Sequence, residues 1–227
     1  MGVRTYLSAR SATITGSTAD TSVPLTLTVT WEFTGTAPEG GWLVIYNREG
    51  SQRQEIIQTT QNTVTIYPTL PNSTYEFTVQ SADGTTVVDG SFTGKTGGIS
   101  VFSGYGVTAD NMNFQMCKTP GYSDWHWYDV PNAFYKYTYA PGEKASVVVS
   151  MNRSYEVSYD VIEVLFIIRD ESGDMVCSSS VSSSWSTMWN QGYCELDIGS
   201  MPTEPGQYTL AVYFNGMAAS QVSFSIQ

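Results

Sequence analysis

The chain has 227 residues, of which 41% are hydrophobic, 13% aromatic and only 14% charged, and its formal net charge is −11. That apolar content excludes a disordered chain, and the acidic balance excludes a polyanionic partner, so nucleic acid is not expected. The densest apolar stretch, 161–168, carries Glu163 and falls far short of the roughly 18 residues of a membrane span, so no membrane insertion is expected within this sequence. One His and three Cys are too few for a metal-rich or redox protein, and no metal or cofactor is expected.

The charge is unevenly spread. Residues 1–97 hold 5 basic and 8 acidic groups, whereas residues 98–227 hold 5 and 13. All three Cys, four of the six Trp and eleven of the fifteen Tyr also lie in the second part. Two domains, 1–97 and 98–227, meet at the Gly-rich stretch 94–98. No signal core follows Met1-Gly2-Val3-Arg4, and no lipid-anchor motif is present. The abundant Ser and Thr alternate with apolar residues, as in extracellular β-domains. The chain therefore reads as an extracellular or cell-surface fragment whose signal and anchor lie elsewhere. A cytoplasmic protein beginning at Met1 is the alternative.

In the first part, 25–31 alternates apolar and polar residues, which predicts a half-buried strand with Leu25, Leu27, Val29 and Trp31 on one face. Strands follow at 42–46, 54–58, 63–67, 76–80 and 86–88, with turns at Glu49-Gly50 and Asp83-Gly84. No helical periodicity is sustained. Short strands at this spacing make an antiparallel sandwich. Thr28-Val29-Thr30-Trp31 resembles the second strand of fibronectin type III domains, and Leu70-Pro71-Asn72-Ser73-Thr74-Tyr75 resembles their tyrosine corner. Tyr46 stands where that family has a third-strand aromatic. The resemblance covers roughly 10–97 and implies a fibronectin III-like sandwich, with Trp31 in the core and the Tyr75 hydroxyl bonded back to the backbone. No Arg-Gly-Asp is present, so integrin-type binding is not implied.

In the second part, strands are expected at 113–118, 135–139, 144–150, 155–169, 175–180, 194–198, 207–214 and 218–226, with Asn215-Gly216 the strongest hairpin signal. Pro205-Gly206-Gln207-Tyr208 before the final hairpin resembles bacterial immunoglobulin-like modules. The expected fold class is all-β: two antiparallel β-sandwich domains in tandem, fibronectin III-like and then immunoglobulin-like.

Three features bear on chemistry. The first is the aromatic segment Asp124, Trp125, His126, Trp127, Tyr128 and Asp129, together with Trp185 and Trp189 in the Ser-rich stretch 178–187; both are expected to be loops. Indole faces stack on sugars, carboxylates accept hydroxyl hydrogen bonds, and Trp and Tyr also anchor protein interfaces. Burial over the sandwich ends is the third reading of these rings. The second is His126 between Asp124 and Asp129, too thin a set for a metal site. No Gly-x-Ser-x-Gly nucleophile elbow occurs, so the chain is not expected to be an enzyme. The third is Cys177 and Cys194, candidates for a disulfide clamping the Trp-bearing connection; Cys117 is then left as a small buried hydrophobe. The sequons at Asn72 and Asn152 are accidental if the source is bacterial.

The expected function is a non-catalytic adhesion, protein-interaction or spacer region of a multidomain surface protein, monomeric, with a protein or glycan ligand. The alternative is a carbohydrate-binding accessory region of a secreted polysaccharide-degrading enzyme.

Overall fold

The computed structural model describes residues 12–20, 23–84, 92–105, 107–118, 135–151, 160–184 and 193–227, and of Lys118, Met151, Tyr193 and Cys194 the backbone alone. Two compact units divide the chain, Met1–Gly98 and Ile99–Gln227. Both are all-β among the described residues, where a single 3-10 turn, Ala109–Asn111, is the one helical element. No described helix is long and apolar enough to cross a membrane.

The first unit holds β1 (Thr13–Asp20), β2 (Leu27–Thr34), β3 (Trp42–Arg48), β4 (Glu55–Thr59), β5 (Thr63–Ile66), β6 (Thr74–Ser81) and β7 (Phe92–Lys95). The sheet β1-β2-β5 faces the sheet β4-β3-β6-β7. Strict alternation on β2 sends Leu27, Val29 and Trp31 into the core, where they meet Trp42, Val44, Phe77 and Val79 from the other sheet. Trp31 and Trp42 pack edge to face with centroids 5.9 Å apart. Among the described residues these seven strands form a fibronectin type III-like sandwich. Its corner is in place: the Leu70 amide donates to the Tyr75 hydroxyl at 2.9 Å. The Thr96 hydroxyl donates to the Leu70 carbonyl at 2.6 Å and ties the last strand to the same corner. One expectation shifts. Leu25 precedes β2 with φ 62 instead of lying within it, because the chain turns there and the Leu25 carbonyl accepts from the Thr69 amide. The strand expected at 86–88 lies outside the described residues.

The second unit holds β8 (Ser103–Gly104), β9 (Val107–Thr108), β10 (Met112–Lys118), β11 (Thr138–Tyr139), β12 (Lys144–Met151), β13 (Val161–Arg169), β14 (Met175–Ser184), β15 (Tyr193–Ser200), β16 (Gly206–Phe214) and β17 (Met217–Ile226). The sheet β10-β12-β15 faces the sheet β11-β17-β16-β13-β14. Phe114, Met116, Val147 and Val149 from the first meet Val164, Phe166, Leu210, Val212 and Phe214 from the second. Asn215 and Gly216 both have positive φ, 46 and 74, and close the β16–β17 hairpin.

Two expectations are corrected here. The expected strand 135–139 is split. Tyr135 bridges to Cys117 in one sheet while Thr138–Tyr139 pairs in parallel with β17 in the other, so the chain crosses between sheets within a few residues. The Ser-rich stretch expected to be a loop is strand through Ser184. Its register runs unbroken against β13 from Cys177 to Ser184, with Cys177 and Val181 packed on the core and Ser178, Ser180 and Ser182 exposed.

Candidate functional site

Asp124, Trp125, His126, Trp127, Tyr128 and Asp129, and likewise Trp185 and Trp189, lie outside the described residues. The strands that flank their segments are described. Lys118, where 119–134 departs, pairs with Ala145, near the start of β12. Tyr193, where 185–192 returns, belongs with Ser150 near its far end. At about 3.3 Å per residue the two stems leave the three-stranded sheet roughly 16 Å apart along the strands. The stems of the two segments therefore lie at opposite ends of that sheet.

The stem of 119–134 is held from both sides by one side chain. The Tyr139 hydroxyl lies 3.0 Å from the Cys117 carbonyl on the outgoing strand and 2.8 Å from the Lys136 carbonyl on the returning one. A hydroxyl has a single proton, so the two carbonyls share one donor. Tyr139 is 1% exposed and packs edge to face on Phe224 at 6.0 Å. Burial is the main cause holding its phenol well above the usual tyrosine range, with Cys117, Glu143 and Tyr137 adding to it. The phenol therefore stays protonated and able to donate. The Lys136 amide donates to the Met116 carbonyl at 3.0 Å. The Lys136 ammonium pairs with Glu143, whose carboxylate also accepts from the Ala140 amide. Those two bonds hold the Glu143 carboxyl below its ordinary range.

Beside this stem, the outward face of β10-β12-β15 carries polar chemistry. Cys117, Ser146 and Asp197 stand in one cross-strand row, and Gln115, Val148 and Glu195 in the next on the same face. Cys117, Ser146 and Val148 are buried although they face away from the core. Burial pushes the Cys117 thiol up to about 12, with Glu195 adding to it, so it is not a thiolate near neutrality. Burial also raises the Glu195 carboxyl, the Ser146 hydroxyl opposes that through a hydrogen bond, and Asp197 adds to it. Tyr135, paired with Cys117, lies on this face, and Tyr137 is close enough to feel the same thiol while remaining 41% exposed. The arrangement offers ring faces and carboxylate acceptors, and no activated nucleophile among the described residues.

Cys177 is a free thiol in the structure. The Ser179 hydroxyl donates to the Ile198 carbonyl at 2.6 Å, which sets the two strands side by side with Cys177 near Ser200. Cys194 sits six residues before Ser200 on β15, roughly 20 Å along the strand, whereas a disulfide needs Cα atoms within about 7 Å. The expected Cys177–Cys194 clamp does not fit this register.

Ser146, Glu195, Asp197, Tyr135 and Tyr137 were not singled out from the sequence. A signal existed for two of them: Glu195-Leu196-Asp197-Ile198 alternates, which puts both acids on the outward face of any strand there. Their meeting with Cys117 depends on pairing between distant strands and left no local mark.

No protein-family profile and no curated protein matches the chain. Among solved structures it is similar to the FN1–FN3 domains of chicken CNTN1, at 11% identity, covering 95% of this chain and 67% of that one, with a TM-score of 0.32. It is also similar to a two-domain fibronectin type III segment from chicken tenascin, at 11% identity, covering 94% and 98%, with a TM-score of 0.30. The fibronectin type III-like character of the first unit stands on its own strand order and its Tyr75 corner.

Proposed function

We propose that the chain is a non-catalytic adhesion or protein-interaction region of a multidomain surface protein, in which the first unit is a spacer and the second binds through 119–134. One observation carries this reading. A buried hydroxyl, Tyr139, bonds the chain on both sides of the aromatic segment, at Cys117 and at Lys136, so the base from which the segment departs is fixed, and a fixed base favours an interface anchor. The carbohydrate-binding reading has an observation of its own. Tyr137 lies exposed near a face bearing Glu195 and Asp197, the ring-and-carboxylate combination that sugars favour.

The test is acrylamide quenching of tryptophan emission, alone and with a panel of soluble glycans. Strong quenching untouched by any glycan supports the protein-interaction reading. Quenching that a glycan suppresses moves the assignment to carbohydrate. Emission shielded throughout removes the segment as a contact surface.

A further inference from the structure

Among the described residues, one flank of the second sandwich ends in two unpaired strand edges. β14 pairs with β13 alone, and β15 with β12 alone, so each is the edge of its sheet among the described residues, and both edges lie on the same side. β14 is ten residues long, Met175–Ser184, and contains no charge and no proline. Natural edge strands are usually short, charged, kinked or covered, since a long neutral edge invites another strand. Its one irregularity is at the very start, beside Arg169. Between the two edges opens a cleft of about 160 Å³, floored by Phe166, Ile168 and Ile198 and rimmed by Cys177, Ser179 and Ser200. An apolar cavity of about 150 Å³ accepts a benzene-sized group, so this one suits a leucine or phenylalanine side chain.

Charge sets the ends of the occupant. The turn leading into β14 carries the half-buried Asp170 and the exposed Glu171, and the exposed Glu163 stands beside Ser182 towards its far end. We propose that the β14 edge is a docking site for an extended peptide strand, with one large apolar side chain seated in the β14–β15 cleft and Lys or Arg at its ends. Main-chain hydrogen bonds to β14 would supply affinity, and the cleft and the flanking acids would supply register. This surface is separate from the stem of 119–134, so either reading can stand without the other.

The probe is the synthetic nonapeptide Lys-Thr-Val-Thr-Leu-Thr-Val-Thr-Lys, titrated into the full chain and followed by amide hydrogen exchange. The expected result is at least tenfold slower exchange along β14, with β1 in the first unit unchanged. Replacing the central Leu of the peptide by Gly, or both Lys by Glu, should weaken binding at least tenfold. Cys177→Trp, which fills the cleft from within, should do the same. If that variant misfolds, the two altered peptides still decide on the unaltered protein. No slowing at β14, or slowing indifferent to the central Leu, overturns the proposal. Protection of β14 that rises with protein concentration and needs no peptide also overturns it, in favour of a second copy.

Discussion

Tyr75 and Tyr139 each hold a connection in place with a hydroxyl, and each is testable by removing one oxygen. Tyr75→Phe leaves the buried Leu70 amide without its acceptor, a loss of about 1–3 kcal/mol, read as a lower urea midpoint. Tyr139→Phe removes the one donor shared by the Cys117 and Lys136 carbonyls. It should cost about 1 kcal/mol and increase tryptophan quenching if the segment loosens at its stem. Only the first of these tyrosines was legible in the sequence. The corner around Tyr75 is a run of contiguous residues, whereas Tyr139 acts on two carbonyls that come together only after the sheets form. Glu195 gives a pH signature. Its carboxyl is raised above the ordinary 4.5, so the folded state holds the proton more tightly than the unfolded one. The stability this contributes is complete below 4.5 and is lost as pH rises through the raised folded value. Wild type should therefore lose stability relative to Glu195→Gln as pH climbs from 4.5 towards neutrality, and parallel curves would contradict this.

Among elements, the Asn215-Gly216 hairpin was read well and the serine strand was not. Asn215-Gly216 announces its turn because both positions need positive φ, which few other residue pairs tolerate. Gly216→Ala should cost about 1 kcal/mol by forcing a side chain into the left-handed region, measurable as a lower Tm of the second unit. β14 hid its period of two because Ser fills both inward and outward positions. Beyond Val176 and Cys177 at its start, only Val181 betrays the packed side. The first unit contains a comparable close approach that composition alone does not reveal. A Cβ on Gly94 would come within 2.5 Å of the Ala19 Cβ, so Gly94 lets β7 close against β1. Gly94→Val should destabilise the first unit by about 1–3 kcal/mol, seen in its urea midpoint.

At the scale of the whole molecule, each unit has its own core and is expected to unfold as its own transition. Tyr75→Phe should then move one calorimetric peak and Gly216→Ala the other. The acidity gathers where the aromatic segment and the polar sheet face are, in the unit to which binding is assigned. The proposed binding role of 119–134 is tested most directly by acrylamide quenching in wild type and Tyr139→Phe. The buried Trp31 and Trp42 provide a shielded component in both proteins. A second, readily quenched component is expected in wild type, with a quenching constant that rises in Tyr139→Phe. A single shielded population in wild type, unchanged by the substitution, would contradict it.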